Sequence, residues 1–314
     1  MAGKNRSNSK KKNQTTTKYK PKHTINMLNQ YNHRTRAGAW LTLLFLFCFG
    51  SSWAQSLANY AVTRQTGITY TSIASTGTGV TSWRNGTDDD DNLSNNIPIG
   101  FTFLYNGTPY TNVRVSTNGF LTFNTTTTAT GTGGTPYGWD NTSFTSSLAT
   151  GASATLAVYY DDLQFNATVT GSAAASLGLL ANQMKYQTTG SVGSRVFTAE
   201  WIGESQFNNA VQNMNFQVKL FETTGVIQYV YGTMNTLYNS GYTYSLGMNA
   251  ATLSNPPTAA QLLTQNIENT ATFSNGIANA LVVSPVSFSR YTFTPSSVAP
   301  SAPSTLSFSS VSNT

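Results

Sequence analysis

An all-β protein, built as an antiparallel β-sandwich or jelly roll, is the fold class this sequence predicts, on three observations. Thr and Ser are abundant, and aromatic residues reach 12% while charged residues make up only 9%. Short runs of β-branched and aromatic residues recur between Gly, Asn, Asp and Pro turn signals. Outside one segment near the C-terminal end, no long stretch repeats its apolar residues at helical spacing. Many short strands without intervening helices suit antiparallel sheets packed face to face.

In chain order, strands are expected at 68–73 (ITYTSI), 99–104 (IGFTFL), 111–116 (TNVRVS), 120–123 (FLTF), 155–160 (TLAVYY) and 183–187 (QMKYQ). They continue at 195–201 (RVFTAEW), 215–221 (NFQVKLF), 226–231 (VIQYVY), 243–248 (TYSLGM) and 290–294 (RYTFT). Asn118-Gly119 between two β runs signals a tight hairpin, since both residues tolerate positive φ. Pairing about a two-residue Asn-Gly turn puts Val113, Val115 and Thr117 on one face with Phe120 and Thr122. Leu121 and Phe123 then share the other with Arg114 and Ser116. Neither face is cleanly polar, so this hairpin is expected deep in the sandwich. Phe216, Val218 and Leu220 alternate with Gln217, Lys219 and Phe221, and Glu-Thr-Thr-Gly then turns the chain into Val226 to Val230 as a second hairpin. Exposed tyrosines there would stack on sugar rings, but a half-buried sheet selects the same residues for packing. One short helix is expected near 256–269, where Pro opens the segment and Ala260, Leu263 and Ile267 fall at helical spacing.

The ends differ from this middle. Residues 1–36 carry ten basic residues and no acidic one, and a fourteen-residue apolar run from Ala37 to Gly50 follows, then Ser52-Trp53-Ala54. Basic, apolar and small-x-small segments in that order mark a secretory signal peptide. Fourteen residues fall short of the roughly 20 that a membrane-spanning helix needs. Cleavage is expected after Ala54, and Met27 is the expected true start because it gives a leader of ordinary length. Cys48 follows Phe-Leu-Phe rather than small residues, which argues against lipoprotein acylation. A rival reading takes the Lys-rich tract as a nucleic-acid-binding arm, but a tract ahead of an export signal is discarded. The organisation expected is a leader at 1–54, a β-sandwich domain at 55–295, and a Pro/Ser-rich linker with the start of a further domain at 296–314. No stable membrane span is expected once the leader is gone.

Removing the leader reverses the electrostatics. Seven basic groups and eleven acidic ones remain, a net charge of −4 that offers nothing to a polyanion. His23, His33 and Cys48 all lie in the leader, so the rest of the chain has neither His nor Cys. That excludes Ser-His-Asp and Cys-His nucleophiles, zinc sites of imidazole or thiolate, and structural disulfides. The glycines of 130–134 precede Thr-Pro-Tyr-Gly rather than a helix, so they make no phosphate cradle.

Carboxylate chemistry and oxygen-ligated metals remain. Glu200 and Glu204 are the nearest mid-chain pair for a glycosidase, which needs opposed carboxyl groups across a cleft. The run Asp88, Asp89, Asp90 and Asp91 crowds hard oxygen donors on one loop and suits Ca²⁺. Asp88, Asp90 and Asn92 match the opening spacing of an EF-hand loop, but Leu93 and Ile99 stand where Gly and Glu are needed. A solvated acidic turn is the simpler account of the run and the one favoured. Asp161 and Asp162, closing LAVYY, would add ligands if the fold brought the two loops together.

Five blocks carry a family resemblance: TGITYTSIASTGTGVTSWRNGTDDDDNLS, IPIGFTFLYNGTPYTNVRVSTNGFLTF, RVFTAEWIG, NFQVKLFETTGVIQYVYGTM and PPTAAQLLTQNIENTATFS. Together they resemble the N-terminal domain of large exported Bacteroidota proteins that continue with fibronectin type III domains and end in a type IX secretion sorting domain. The closing APSAPSTLSFSSVSNT looks like the start of such a fibronectin module. VSTNGFLTF and RVFTAEW are also similar, more loosely, to nidogen-type extracellular domains. The resemblance implies a secreted or surface location and a non-catalytic interaction or adhesion role toward an extracellular glycan or protein. It brings no catalytic residues. A carbohydrate-active or carbohydrate-binding accessory domain is the alternative.

Overall fold

The computed structural model describes residues 57–86, 88–126, 138–144, 153–165, 182–207, 213–234, 243–250, 257–276 and 281–296. The expected leader and the expected fibronectin-like end lie outside them.

Two antiparallel sheets form the domain. The first orders its strands β1 (Tyr60–Thr66), β15 (Ser289–Pro295), β11 (Ile227–Tyr231), β10 (Met214–Phe221), β9 (Val196–Gln206), β8 (Met184–Thr189) and β2 (Thr78–Gly79), with β7 (Leu163–Gln164) paired onto β9. The second runs β14 (Phe273–Ser274), β13 (Leu262–Gln265), β12 (Ser245–Asn249), β6 (Thr155–Tyr160), β5 (Phe120–Thr122), β4 (Thr108–Val115) and β3 (Ile97–Tyr105). The predicted fold class therefore holds.

Period-two patterning decides which faces meet. Along β3, Ile97, Ile99, Phe101, Phe103 and Tyr105 are buried, and the residues between them are exposed. Their partners across the sandwich include Phe197, Ala199, Trp201, Phe216, Val218, Leu220, Ile227, Tyr229 and Tyr231, all in one apolar core. A second, smaller cluster of Leu93, Phe120, Phe144, Ala157 and Tyr160 closes the opposite face of the central β5 and β6 strands. This double cover explains why every residue of β5 and β6 is buried. The predicted β10–β11 hairpin forms, with Phe216 opposite Tyr231 and Leu220 opposite Ile227. Its aromatics Phe216, Tyr229 and Tyr231 are wholly buried core residues.

Three sequence expectations need correction. Residues 68–73 are not a strand. They form an irregular strap over the outer face of the first sheet, where Tyr70 Oη donates to Glu200 Oε1 at 2.8 Å and Gln217 Nε2 donates to Thr71 O at 2.9 Å.

The expected helix near 256–269 is a three-residue 3-10 turn, Ala259–Gln261, running directly into β13. Leu262 and Leu263 are both buried while Ile267 is 56% exposed, so the helical spacing did not track burial. Pairing with β12 outweighed local helical preference.

The hairpin at Asn118-Gly119 is shifted by one residue. Arg114 pairs with Thr122 and Val115 with Leu121, and Ser116 N donates to Phe120 O, so the turn is the three residues Thr117, Asn118 and Gly119. A one-residue shift exchanges faces. Val113 and Val115 therefore lie with Leu121 and Phe123 in the main core, and Phe120 joins the second cluster.

Candidate functional site

Three chain segments meet at one end of the sandwich. The first is the acidic loop after Trp83, closed by bridges from Trp83 to Ser94 and from Leu93 to Ser116. Buried Asn92 organises it: its Oδ1 accepts from Asn85 N at 3.0 Å and its Nδ2 donates to Asp88 O at 2.8 Å. Its backbone is tied to the Asn-Gly turn, with Asn92 N donating to Thr117 Oγ1 at 2.9 Å. The second segment is the Asp161-Asp162 turn between β6 and β7. The third is the end of β9, which pairs with β7 through Leu163 opposite Gln206 and Gln164 opposite Ser205. Phe165 N donates to Asp89 O at 3.0 Å and Phe207 N to Asp162 O at 2.9 Å, so backbone bonds lock all three together.

The turn that opens the β4–β5 hairpin serves this junction. Asn118 Nδ2 donates to Asp91 Oδ1 at 2.9 Å, and its Oδ1 accepts from Leu163 N at 2.9 Å. One amide thus positions the acidic loop against the β6–β7 turn.

Of the six predicted ligands, the fold brings Asp90, Asp91 and Asp162 together, with one carboxylate oxygen of each within 4.8 Å of the others. The remaining three are used differently. Asp88 accepts from Asn85 Nδ2 at 2.9 Å and from Asp90 N at 3.2 Å, which shapes the loop. Asp161 is buried and accepts from Gln206 Nε2 at 3.1 Å. Asp89 is buried as well, outside the trio. Asn92, the third residue of the EF-hand-like spacing, spends its side chain on loop backbone.

The sequence pairs Glu204 with Glu200 as candidate opposed carboxylates. The structure separates them. Glu200 lies opposite Gln217, and Trp201 opposite Phe216, but the register then slips so that Ile202 faces Asn215 and Glu204 faces Met214. The extra residue is Gly203, whose φ of +73° suits a bulge. Without it Glu204 would share the outward side of Glu200. With it, Glu204 turns to the inner side, its surface wholly buried and neither carboxylate oxygen hydrogen-bonded. The Gly within a strand run is the one sequence signal of this reversal.

The electrostatics follow from crowding. Burial, then Asp91, Asp162, Asp88 and Asp89, push the Asp90 carboxyl up to about 8. Burial and Asp91 push Asp162 up to about 7. Burial raises Asp161 to about 7, against the bond from Gln206, and Asp89 to about 6. Glu204 is driven well above the usual carboxylate range by burial, then by Asp89 and Asp90. Every charge acting on Asp90, Asp162 and Glu204 is itself a carboxylate. One Asp90 oxygen, Oδ1, is buried without a hydrogen-bond partner too.

Glu200 is committed elsewhere. Its Oε1 accepts from Tyr70 Oη and its Oε2 from Ile73 N at 2.5 Å, fastening the strap across the outer face. The recess lined by Val80, Ser82, Asn95, Ile97 and Tyr186 contains no carboxylate. No helix among the described residues is long and apolar enough to cross a membrane.

Fold and site together define an all-β domain whose distinctive chemistry is a loop-borne carboxylate cluster. A family model described as NIDO related matches residues 59–295, and the chain belongs to this NIDO-related family of extracellular domains. The match spans β1 through β15, so the nidogen-type likeness extends well beyond the VSTNGFLTF and RVFTAEW blocks. Neither a curated protein nor a solved structure gives a significant match.

Proposed function

We propose that this chain is a secreted or cell-surface interaction and adhesion module, non-catalytic, belonging to a multidomain protein. The observation that carries this reading is the NIDO-related match over 59–295, a span that covers both sheets. The signal-peptide pattern before residue 55 and the net negative charge after it support export and a partner other than nucleic acid. The five resembling blocks favour a Bacteroidota surface protein in which fibronectin type III domains and a type IX sorting domain follow. The partner is an extracellular glycan or protein.

The positions of the carboxylates weigh against hydrolysis. A glycosidase needs two carboxyl groups opposed across an accessible groove. Glu200 and Glu204 are both wholly buried and point to opposite sides of β9. For this reason we do not carry the carbohydrate-active alternative further.

Protease shaving of intact cells that express the full chain, together with arrays of extracellular glycans and matrix proteins and a reducing-end assay on those glycans, tests the reading. Surface-accessible chain and saturable array binding without new reducing ends is the expected result. Glycan cleavage abolished by Glu200→Gln or Glu204→Gln would replace the interaction module with an enzyme. A product that stays inside the cell with Lys10 to Lys12 attached would overturn export.

A further inference from the structure

We propose that Asp90, Asp91 and Asp162 form a Ca²⁺ site that fastens the acidic loop and the β6–β7 turn to the end of β9. Two independent observations carry it. The first is geometric. Three carboxylates from two loops far apart in sequence present oxygens within 4.8 Å of one another. Ca²⁺ binds oxygen at about 2.3–2.6 Å, so ligands on opposite sides of the ion stand up to about 5 Å apart, a span these oxygens fall within, and it accepts the irregular carboxylate sets that loops offer more readily than Mg²⁺ does.

The second is Glu204. A wholly buried carboxylate with both oxygens unpaired is among the most costly groups a core can hold. Nothing in β-sandwich packing requires one opposite Met214 on an inner face, where the position would suit an apolar residue. The Gly203 bulge turns it inward, to within electrostatic reach of Asp89 and Asp90. A divalent cation bound by Asp90, Asp91 and Asp162 supplies the charge that this arrangement otherwise lacks. Asn118 and Gln206 complete the device as positioning residues, holding Asp91 and Asp161 by hydrogen bonds.

The alternative occupant is the proton, each crowded carboxyl being held neutral. Calorimetric titration of the chelator-treated full chain with Ca²⁺ and with Mg²⁺ at neutral pH separates the two, with melting followed in parallel. One Ca²⁺ site is expected, with a Kd in the range of about 10⁻⁵ to 10⁻³ M known for extracellular modules and weaker sensors. Tm should rise with Ca²⁺, and less with Mg²⁺ at equal concentration. Asp90→Asn and Asp162→Asn should each weaken binding by about tenfold or more. Glu204→Gln guards against misfolding as an explanation: it should melt no lower than the parent without metal, yet gain less from Ca²⁺. Absence of both heat and Tm shift, or full affinity in Asp90→Asn and Asp162→Asn, would overturn the site and leave protons as its occupant. The inference does not rest on the interaction reading, because the titration reports on metal alone.

Discussion

At Gly119 a β-carbon would stand 2.0 Å from the carbonyl oxygen of Tyr159, and the backbone φ is +73°. The close approach is structural, since Gly119 O accepts from both Val158 N and Tyr159 N. Those bonds seat the β4–β5 turn against β6 and so fix Asn118 between Asp91 and Leu163. Gly119→Ala meets backbone rather than a flexible side chain, and adds left-handed strain. A loss of about 3 kcal/mol or more in denaturant unfolding is expected, and a loss under about 1 kcal/mol would show that the turn can relax. The residue-level message of Asn-Gly was legible: a turn needing positive φ. Its three-residue length was not, because a two-residue and a three-residue turn read alike until Ser116 and Phe120 are seen to pair.

Among elements, the β10–β11 turn and the turn before β9 are joined by one ion pair. Arg195 donates to Glu222 from Nε at 2.9 Å and from Nη2 at 2.5 Å, and Gly193 N and Arg195 N donate to the same carboxylate. Arg195 Nη1 also donates to Gly100 O of β3 at 2.6 Å, and its guanidinium lies 5.5 Å from the Phe101 ring, so the pair bridges the two sheets. These donors, the Arg195 side chain foremost, hold the Glu222 carboxyl down at about 2, below its ordinary 4.5. A depressed carboxyl contributes stability above its unfolded value and loses it as pH falls through the folded one. Glu222→Gln should therefore flatten the acid limb of the stability–pH curve between about 4.5 and 2. Identical acid limbs for parent and variant would show that the pair adds nothing. The sequence marked Glu222 as a turn residue only; the Arg195 partner comes from strand pairing 27 positions away.

Across the whole molecule, tyrosine hydroxyls join the sheets. Tyr231 Oη donates to Val158 O and Tyr229 Oη to Gly247 O, each at 2.7 Å, both reaching from β11 to the facing sheet. Trp201 Nε1 donates to Ser116 O at 2.7 Å from β9 while its ring stacks on Phe216 at 5.1 Å. Tyr231→Phe leaves a buried carbonyl short of its donor and should lower stability by about 1–2 kcal/mol, or about 3–7 °C in Tm for a domain of this size. Trp201→Phe removes both the donor and ring volume, so about 2–4 kcal/mol is expected. An unchanged Tm in both variants would mean that these hydroxyl and indole bonds add nothing to stability. Among the described residues, β1 pairs with β15 from Tyr60 opposite Pro295 to Thr66 opposite Ser289 and forms one edge of the first sheet.

Composition, period-two patterning and turn residues determined the all-β class, most of the strands, the β10–β11 hairpin and the absence of His and Cys chemistry after residue 54. Those features are local, or follow from counting. Tertiary structure decided what depends on partners distant in sequence. Pairing with β12 made a strand of Leu262–Gln265, and Glu200 and Gln217 drew 68–73 into a strap. The loop packing brought the carboxylates of Asp90, Asp91 and Asp162 together. A single-residue bulge at Gly203 turned Glu204 from the outer side to the inner one, because strand side chains alternate and one added residue exchanges faces.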